Sequence, residues 1–158
     1  MNNLYEKLLS QIPLYKELAT IKTIESNQKL VDAQQCDLLY CKNIDQTMAQ
    51  YTGDKIYVRE EVLCKLEIAA QLLSDSYPLL MLQVHYGYRL PDIQESKYQA
   101  IMDKIRNDPT ISDKEQYAHT FVANPLVAGH PTGGAVDVCL IDRKTKSMLD
   151  MGSDLQQF

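Results

Sequence analysis

The sequence has little of what marks the specialised classes of protein. It contains no run of the about 20 apolar residues that a membrane-spanning helix requires. Basic residues are in the minority, with 16 lysines and arginines against 21 aspartates and glutamates, so the chain has no overall attraction for phosphate backbones. Hydrophobic residues make up 45% and charged residues 23%, which excludes disordered, collagen-like and coiled-coil chains. We therefore expect neither nucleic acid nor a membrane as partner.

The cysteines show neither a metal-binding nor a disulfide pattern. Cys36, Cys41, Cys64 and Cys139 form no C-x-x-C pair. A chain of 158 residues builds a core without disulfides, so we expect free thiols in a reducing compartment. The first residues carry acidic side chains and lack the basic region and unbroken apolar stretch of a secretory signal. These features predict a soluble, cytoplasmic protein.

The apolar pattern predicts an α+β fold in a single domain over residues 1–158. Leu4, Leu8 and Ile12 recur at helical spacing, which predicts an N-terminal amphipathic helix that ends or bends at Pro13. Helices and strands do not alternate regularly, so we expect a small, largely antiparallel sheet with helices packed on one side. The remaining predicted elements are strands at 36–40, 56–58, 79–89 and 135–142 and helices at 59–75, 92–106 and from 112.

Two capping signals set the starts of the later helices. Asp92 precedes Glu95 by three residues, and Ser112 precedes Glu115 by the same interval. We therefore expect Asp92 and Ser112 as N-caps. Residues 124–134, rich in glycine and proline, follow as a loop.

The candidate metal-binding residues lie in the segment 129–142. His130 and Asp137 lie seven residues apart with Gly133 and Gly134 between them, so a loop ligand and a strand ligand can converge on one metal. Imidazole and carboxylate together suit zinc. An alternative on spacing alone is that His130 caps the loop and Asp137 pairs with a buried arginine.

The wider sequence resembles a known family. The motif H-x-x-G-x-A-x-D is matched at each fixed position by His130, Gly133, Ala135 and Asp137. With the segments YTGDKIY (51–57), YGYRLPDIQ (86–94) and LDMGS (149–153), residues 36–158 resemble the zinc-dependent D-alanyl-D-alanine dipeptidases, which include the vancomycin-resistance dipeptidases. Residues 1–35 would then be an N-terminal helical extension.

The resemblance implies a site and a reaction. His130 and Asp137 would be two of three protein ligands to a catalytic Zn²⁺, in a zinc D,D-peptidase-like fold. Arg89 stands at the family's conserved arginine and would polarise the scissile carbonyl and stabilise the negative charge that develops on it. The substrate would be D-alanyl-D-alanine or a similar small D,D-dipeptide. Without the resemblance, the sequence predicts that Arg89 is a surface cation near Asp92 or Glu95.

The chain departs from the family pattern at several positions. Tyr86 stands where the family has an aspartate, and Cys139 where it has a threonine, on the same strand face as Asp137. We expect Cys139 to fill space in the core. His85 and His119 match no family ligand and are expected to be structural.

The largest departure concerns the third ligand and the general base. The family supplies both from a Glu-x-x-His motif, and no glutamate in this sequence is followed three residues later by a histidine. We therefore expect a C-terminally truncated form with weak or no activity, which self-associates or needs a complementing C-terminal fragment. The alternative is an inactive fragment that acts as a binding or complementation partner.

Overall fold

A computed structural model describes residues 15–22 and 24–152. Backbone contacts divide the chain into two compact units. The helical unit contains the described residues up to Ser26 together with Glu95–Ala128, and the sheet unit contains 27–94 and 129–152. The predicted N-terminal helix around Leu4 to Ile12 lies outside the described residues.

The fold class is α+β. The described strands are β1 (Leu30–Asp32), β2 (Leu39–Cys41), β3 (Tyr57–Arg59), β4 (Leu80–Tyr86) and β5 (Asp137–Asp142). They form two small sheets, an antiparallel pair β1–β3 and a mixed sheet in which β4 pairs in parallel with β2 and antiparallel with β5. The largely antiparallel pairing agrees with the prediction, but it is divided between two sheets instead of one. The helices are α1 (Tyr15–Leu18), α2 (Gln46–Thr52), α3 (Glu60–Ser76), α4 (Pro91–Ile105) and α5 (Lys114–His119), with 3-10 turns at Ala33–Gln35 and His130–Thr132.

The core of the sheet unit lies between α3 and the strands. Leu63, Leu66 and Ala70 recur on one face of α3, and they pack with the fully buried Val58 of β3 and Val84 of β4. Burial of each such side chain contributes about 1.5–3 kcal/mol. The predicted helix at 59–75 is thereby confirmed within one residue at each end.

The helical unit has a separate core. Tyr98 and Ile105 of α4 pack with Ala118 of α5, and Ile101, Met102, Ile111 and Val122 cover them. None of the described helices is both long enough and apolar enough to cross a membrane.

Both predicted N-caps are wrong, by two residues at α4 and by one residue at α5. Helix α4 begins at Pro91, whose fixed φ suits the first helical position, so Asp92 lies inside the first turn. Helix α5 is capped by Asp113, whose carboxylate accepts from the Gln116 amide at 3.0 Å, rather than by Ser112. A cap signal in sequence fixes a helix start only to within a residue when two polar residues are adjacent.

Strand boundaries also differ from those predicted. Residues Leu30–Asp32, which fall in the stretch assigned to a helical extension, form β1 through pairing with β3. Strand β4 ends at Tyr86, three residues earlier than predicted, and β5 starts at Asp137, two residues later. Both shortened ends lie at the site described next.

Candidate functional site

The pairing of β4 with β5 is irregular beside the candidate site. Val84 pairs with Val138 and Tyr86 with Asp137, so His85 is one extra residue on β4. Such a bulge bends a strand and re-aims the side chains beside it. It stands where β4 ends and β5 begins, at the level of Asp137.

His130 is fixed through its ring and its backbone. Its Nδ1 lies 2.9 Å from the Gly87 carbonyl oxygen, and its own carbonyl accepts from the Arg89 amide at 3.1 Å. A carbonyl only accepts hydrogen bonds, so Nδ1 carries a hydrogen, and in the neutral ring Nε2 is the nitrogen with the lone pair. A ligating histidine usually has its second nitrogen held by a carbonyl or carboxylate in this way.

Gly87 makes this contact accessible. A Cβ at this position would lie 2.4 Å from the Tyr57 carbonyl oxygen, and the next amide, of Tyr88, donates to that same oxygen at 2.6 Å. Only a residue without a side chain fits so close to β3. The carbonyl of Gly87 is thereby held in place for the His130 ring.

Asp137 faces the free nitrogen of His130. The His130 Nε2 and Asp137 Oδ1 atoms are 3.6 Å apart, while two such ligands on a tetrahedral zinc would be about 3.4 Å apart. The His130 side chain is 16% exposed and that of Asp137 52%, so the pair opens to solvent on the aspartate side. The donor atoms therefore fit two corners of a zinc site.

The charge state of Asp137 also suits a metal ligand. Partial burial raises the pKa of its carboxyl, but interaction with the adjacent His130 ring and the positive charge of Arg89 hold the pKa below its ordinary value. Asp137 is therefore a carboxylate at neutral pH.

Arg89 is held by neutral partners. Its Nε–H donates to the Tyr86 hydroxyl at 2.8 Å, its NH1 group donates to Gln94 Oε1 at 2.7 Å, and its guanidinium carbon lies 4.2 Å from the centroid of the Tyr86 ring. Gln94 is buried, with 1% exposed. The sequence alternative placed Arg89 beside Asp92 or Glu95, whereas these hydrogen bonds join its guanidinium to two neutral side chains.

Tyr86 links the arginine to the histidine. Its ring meets the His130 ring edge-on at 5.3 Å between centroids, and burial raises the pKa of its phenol well above the ordinary value, a shift to which a hydrogen bond with Asp45 also contributes. Tyr86 is therefore a neutral phenol in the position where the family resemblance expects an aspartate.

A buried polar row lies behind Asp137. His85 Nε2 is 3.0 Å from Cys139 Sγ, and His85 Nδ1 is 3.2 Å from the Gln83 side-chain nitrogen. Burial lowers the pKa of His85 and raises that of the Cys139 thiol, so both groups are neutral. All three side chains are under 5% exposed, which makes them part of the packing of the sheet.

The remaining histidine belongs to the helical unit. His119 Nδ1 accepts from the Asn124 amide at 3.3 Å, which is a structural contact.

The structure thus brings Arg89, His130 and Asp137 together, and it adds residues that sequence reasoning missed. Gln94 and the Gly87 carbonyl act through hydrogen bonds, for which the sequence carries no signal. Among residues 15–22 and 24–152, no group of three or more histidine, cysteine, aspartate or glutamate side chains is arranged to hold a metal ion.

Comparison of the chain with known proteins identifies no relative. Neither the models of known protein families, nor curated proteins, nor solved structures give a significant match to the chain.

Proposed function

We propose that the chain forms part of a zinc peptidase site that hydrolyses D-alanyl-D-alanine or a similar small D,D-dipeptide. The observation that carries the proposal is the pairing of His130 Nε2 with Asp137 Oδ1 at 3.6 Å, with the His130 tautomer set by the Gly87 carbonyl. The motif resemblance supplies the substrate class. A cytoplasmic location belongs to the same proposal, supported by four free cysteines.

In this proposal, each site residue has a chemical role. His130 and Asp137 would hold the zinc, which when bound polarises a carbonyl and lowers the pKa of a coordinated water. Arg89 presents a fixed cation beside the pair and would bind the substrate carbonyl oxygen as negative charge develops on it. Tyr86 and Gln94 hold the guanidinium through its Nε and NH1 groups, which leaves the NH2 group for the substrate.

The third ligand and the general base lie outside the described residues in this proposal. A positioned base contributes about 10²–10⁴-fold to such a reaction, so the chain alone would be a weak catalyst. A complementing polypeptide would supply both groups.

A second candidate function is binding without turnover. The observation that favours it is the absence of any three-residue metal group among the described side chains. In that case the chain would hold a D,D-dipeptide at Arg89, or complement another polypeptide, and would release no product.

Metal binding and turnover test the two functions separately. Zinc stoichiometry is measured by elemental analysis and calorimetry on the purified chain, on His130→Ala and on His119→Ala as the matched histidine control. We expect zinc in the parent chain and in His119→Ala and none in His130→Ala. Equal zinc in all three proteins would contradict the ligand assignment.

Turnover is followed as alanine release from D-Ala-D-Ala, with L-Ala-L-Ala as the stereochemical control. Release from the D,D-dipeptide that is lost in His130→Ala supports the peptidase. Calorimetric binding of D-Ala-D-Ala without release, lost in Arg89→Gln, supports the binding protein, and neither binding nor release contradicts both functions.

A further inference from the structure

The turn that carries His130 is tied to the neighbouring sheet by one arginine. Arg59 is the last residue of β3. Its main-chain N–H donates to the Gly133 carbonyl at 3.0 Å, and its Nε–H donates to the Thr132 carbonyl at 2.7 Å. Its NH1 group also donates to the Gln28 carbonyl. One residue therefore joins the ligand turn to β3 and to the chain before β1.

The bonds within the turn are local. Thr132 and Gly134 donate their amides to the Gly129 carbonyl, and the Gly133 amide donates to the His130 carbonyl. Such bonds fix the shape of a turn but not its place relative to the strands. That place is set by Arg59 on one side and by the contacts of His130 with Gly87 and Arg89 on the other.

The turn packs directly on Arg59. Gly133 has φ +73°, and a Cβ there would lie 2.5 Å from Leu30 Cδ2 and 3.3 Å from Arg59 Cγ. Glycine thus lets the turn approach β1 and β3 closely enough for its two carbonyls to reach Arg59. The close approach and the hydrogen bonds act on the same face of the turn.

We propose that Arg59 is the positioning residue of the metal ligand His130. The inference rests on the proposed metal-binding function of His130. The planar guanidinium reaches the Thr132 and Gln28 carbonyls at once in a fixed geometry, which a single ammonium group does not reproduce. Loss of this fork frees the turn, and His130 Nε2 then no longer stays at ligand distance from Asp137.

Arg143 provides a matched control. It follows β5 at the end remote from Asp137, and it too bonds main-chain carbonyls: its Nε–H donates to the Pro78 carbonyl at 3.0 Å and its NH2 group to the Leu80 carbonyl at 3.1 Å. Arg59→Lys and Arg143→Lys therefore remove the same kind of contact, one at the site and one away from it.

The experiment compares these two variants by metal affinity and by NMR of the metal-free protein. Zn²⁺ affinity, measured by calorimetry, should fall about 10–100-fold in Arg59→Lys, the usual effect of losing a group that orients a ligand, and stay unchanged in Arg143→Lys. In the metal-free protein, the Arg89 and Gly133 amides, both bonded to the His130 carbonyl, should exchange faster with solvent in Arg59→Lys alone. The His130 ring should also lose its single Nδ1–H tautomer in that variant.

The outcomes separate this inference from the proposed function. If the parent chain binds no Zn²⁺, the proposed function fails, while amide exchange and the His130 tautomer still decide whether Arg59 places the turn. Equal exchange and equal affinity in the two variants would overturn the role of Arg59, as would faster exchange with unchanged affinity. Arg59→Gln, which keeps part of the aliphatic stem, replaces the lysine variant if that variant does not fold.

Discussion

At the residue scale, Tyr86 contacts two of the candidate site residues. Its hydroxyl accepts from Arg89, and the edge of its ring meets the His130 ring. A neutral phenol orients the guanidinium without cancelling its charge, whereas an aspartate in the same place would form an ion pair with it. The phenol of Tyr86 thus holds Arg89 in place and leaves its positive charge beside Asp137.

Tyr86→Phe tests the hydrogen-bonding part of this contact. The ring and its stacking on the guanidinium remain, but the Arg89 Nε–H loses its acceptor and Asp45 loses its bond with the hydroxyl, which should lower the free energy of unfolding by about 1–2 kcal/mol. Urea unfolding measures the change. Tyr77→Phe, at a residue that is 62% exposed, is the control and should have no effect. Equal stability of the two variants would show that the bond is not formed.

His119 should make the protein less stable in acid. Burial lowers the pKa of His119 in the folded chain below its ordinary value of 6.5, so the unfolded chain takes up the proton first as the pH falls. The stability that the neutral ring contributes is therefore complete above pH 6.5 and is lost as the pH falls through the folded pKa. Protonation also ends the bond from the Asn124 amide to Nδ1.

Unfolding curves between pH 7 and pH 5 measure this effect on the parent chain and on His119→Gln. The variant should lose less stability over this range, and it should keep the part due to His85, whose pKa burial also lowers. An identical pH dependence in the two proteins would contradict the assignment.

At the scale of elements, helices could be predicted from apolar residues that recur along the sequence, whereas the pairing of strands could not. Helix α3 was predictable because Leu66 and Ala70 recur at helical spacing over a long segment. The end of β4 was not, because the extra residue His85 arises from pairing with β5 and leaves no trace in the order of apolar residues. His130 and Asp137 were predictable as candidates because the motif places them in one short segment.

Gly87→Ala should disturb the contact between β3 and the chain after β4. The added methyl would meet the Tyr57 carbonyl oxygen, a backbone atom that cannot rotate away, so we expect a loss of about 1–3 kcal/mol. The Gly87 carbonyl would shift with it and release the His130 ring.

Gly134→Ala is the matched control for Gly87→Ala. Its methyl would meet a side-chain atom rather than the backbone, the Thr132 hydroxyl oxygen at 2.9 Å, so we expect a smaller loss of stability. Thermal unfolding and Zn²⁺ calorimetry on both variants measure stability and site geometry. Equal stability of the two variants would contradict the close approach of Gly87 to β3.

At the scale of the whole molecule, the first boundary between the two units follows no feature of composition, whereas the second lies in the glycine- and proline-rich loop 124–134. Residues 95–128 of the helical unit stand between Gln94 and Gly129 of the sheet unit, and the first of these boundaries falls inside α4. Linkers are recognised in sequence by glycine, proline and polar residues, and a continuous helix carries none of these signals. The prediction of one domain rested on chain length and on the lack of a recognisable linker, and a boundary inside a helix gives no such signal.

The four thiols should differ in reactivity across the native molecule. Cys64 is exposed and Cys36 and Cys139 are buried, while burial, the charge of Asp32 and the neighbouring Cys36 raise the pKa of Cys41 to about 11. We expect one fast-reacting thiol at pH 8 and four after denaturation, counted with a chromogenic disulfide reagent. Cys64→Ser should abolish the fast phase, and its persistence would contradict the assignment.

The same shift predicts weaker stability in alkali. Between the ordinary thiol pKa of 9.0 and about 11, the unfolded chain ionises at Cys41 before the folded chain does, so stability falls as the pH rises through this window. Cys41→Ser should remove that part of the loss and Cys64→Ser should retain it. Unfolding curves from pH 8 to pH 11 distinguish the two variants. Equal losses of stability in the two variants would contradict the role of Cys41.

Because of the bulge at His85, the geometry of the site depends on one extra residue in β4. Side chains alternate between the faces of a strand, so regular pairing would turn Tyr86 to the side of Val84, while the extra residue brings it opposite Asp137. Removing His85 would keep Tyr86 opposite Asp137 but would restore regular pairing and take away the bend that the bulge introduces. The break in pairing at this point of the chain is therefore as much a determinant of the site as the identity of any side chain.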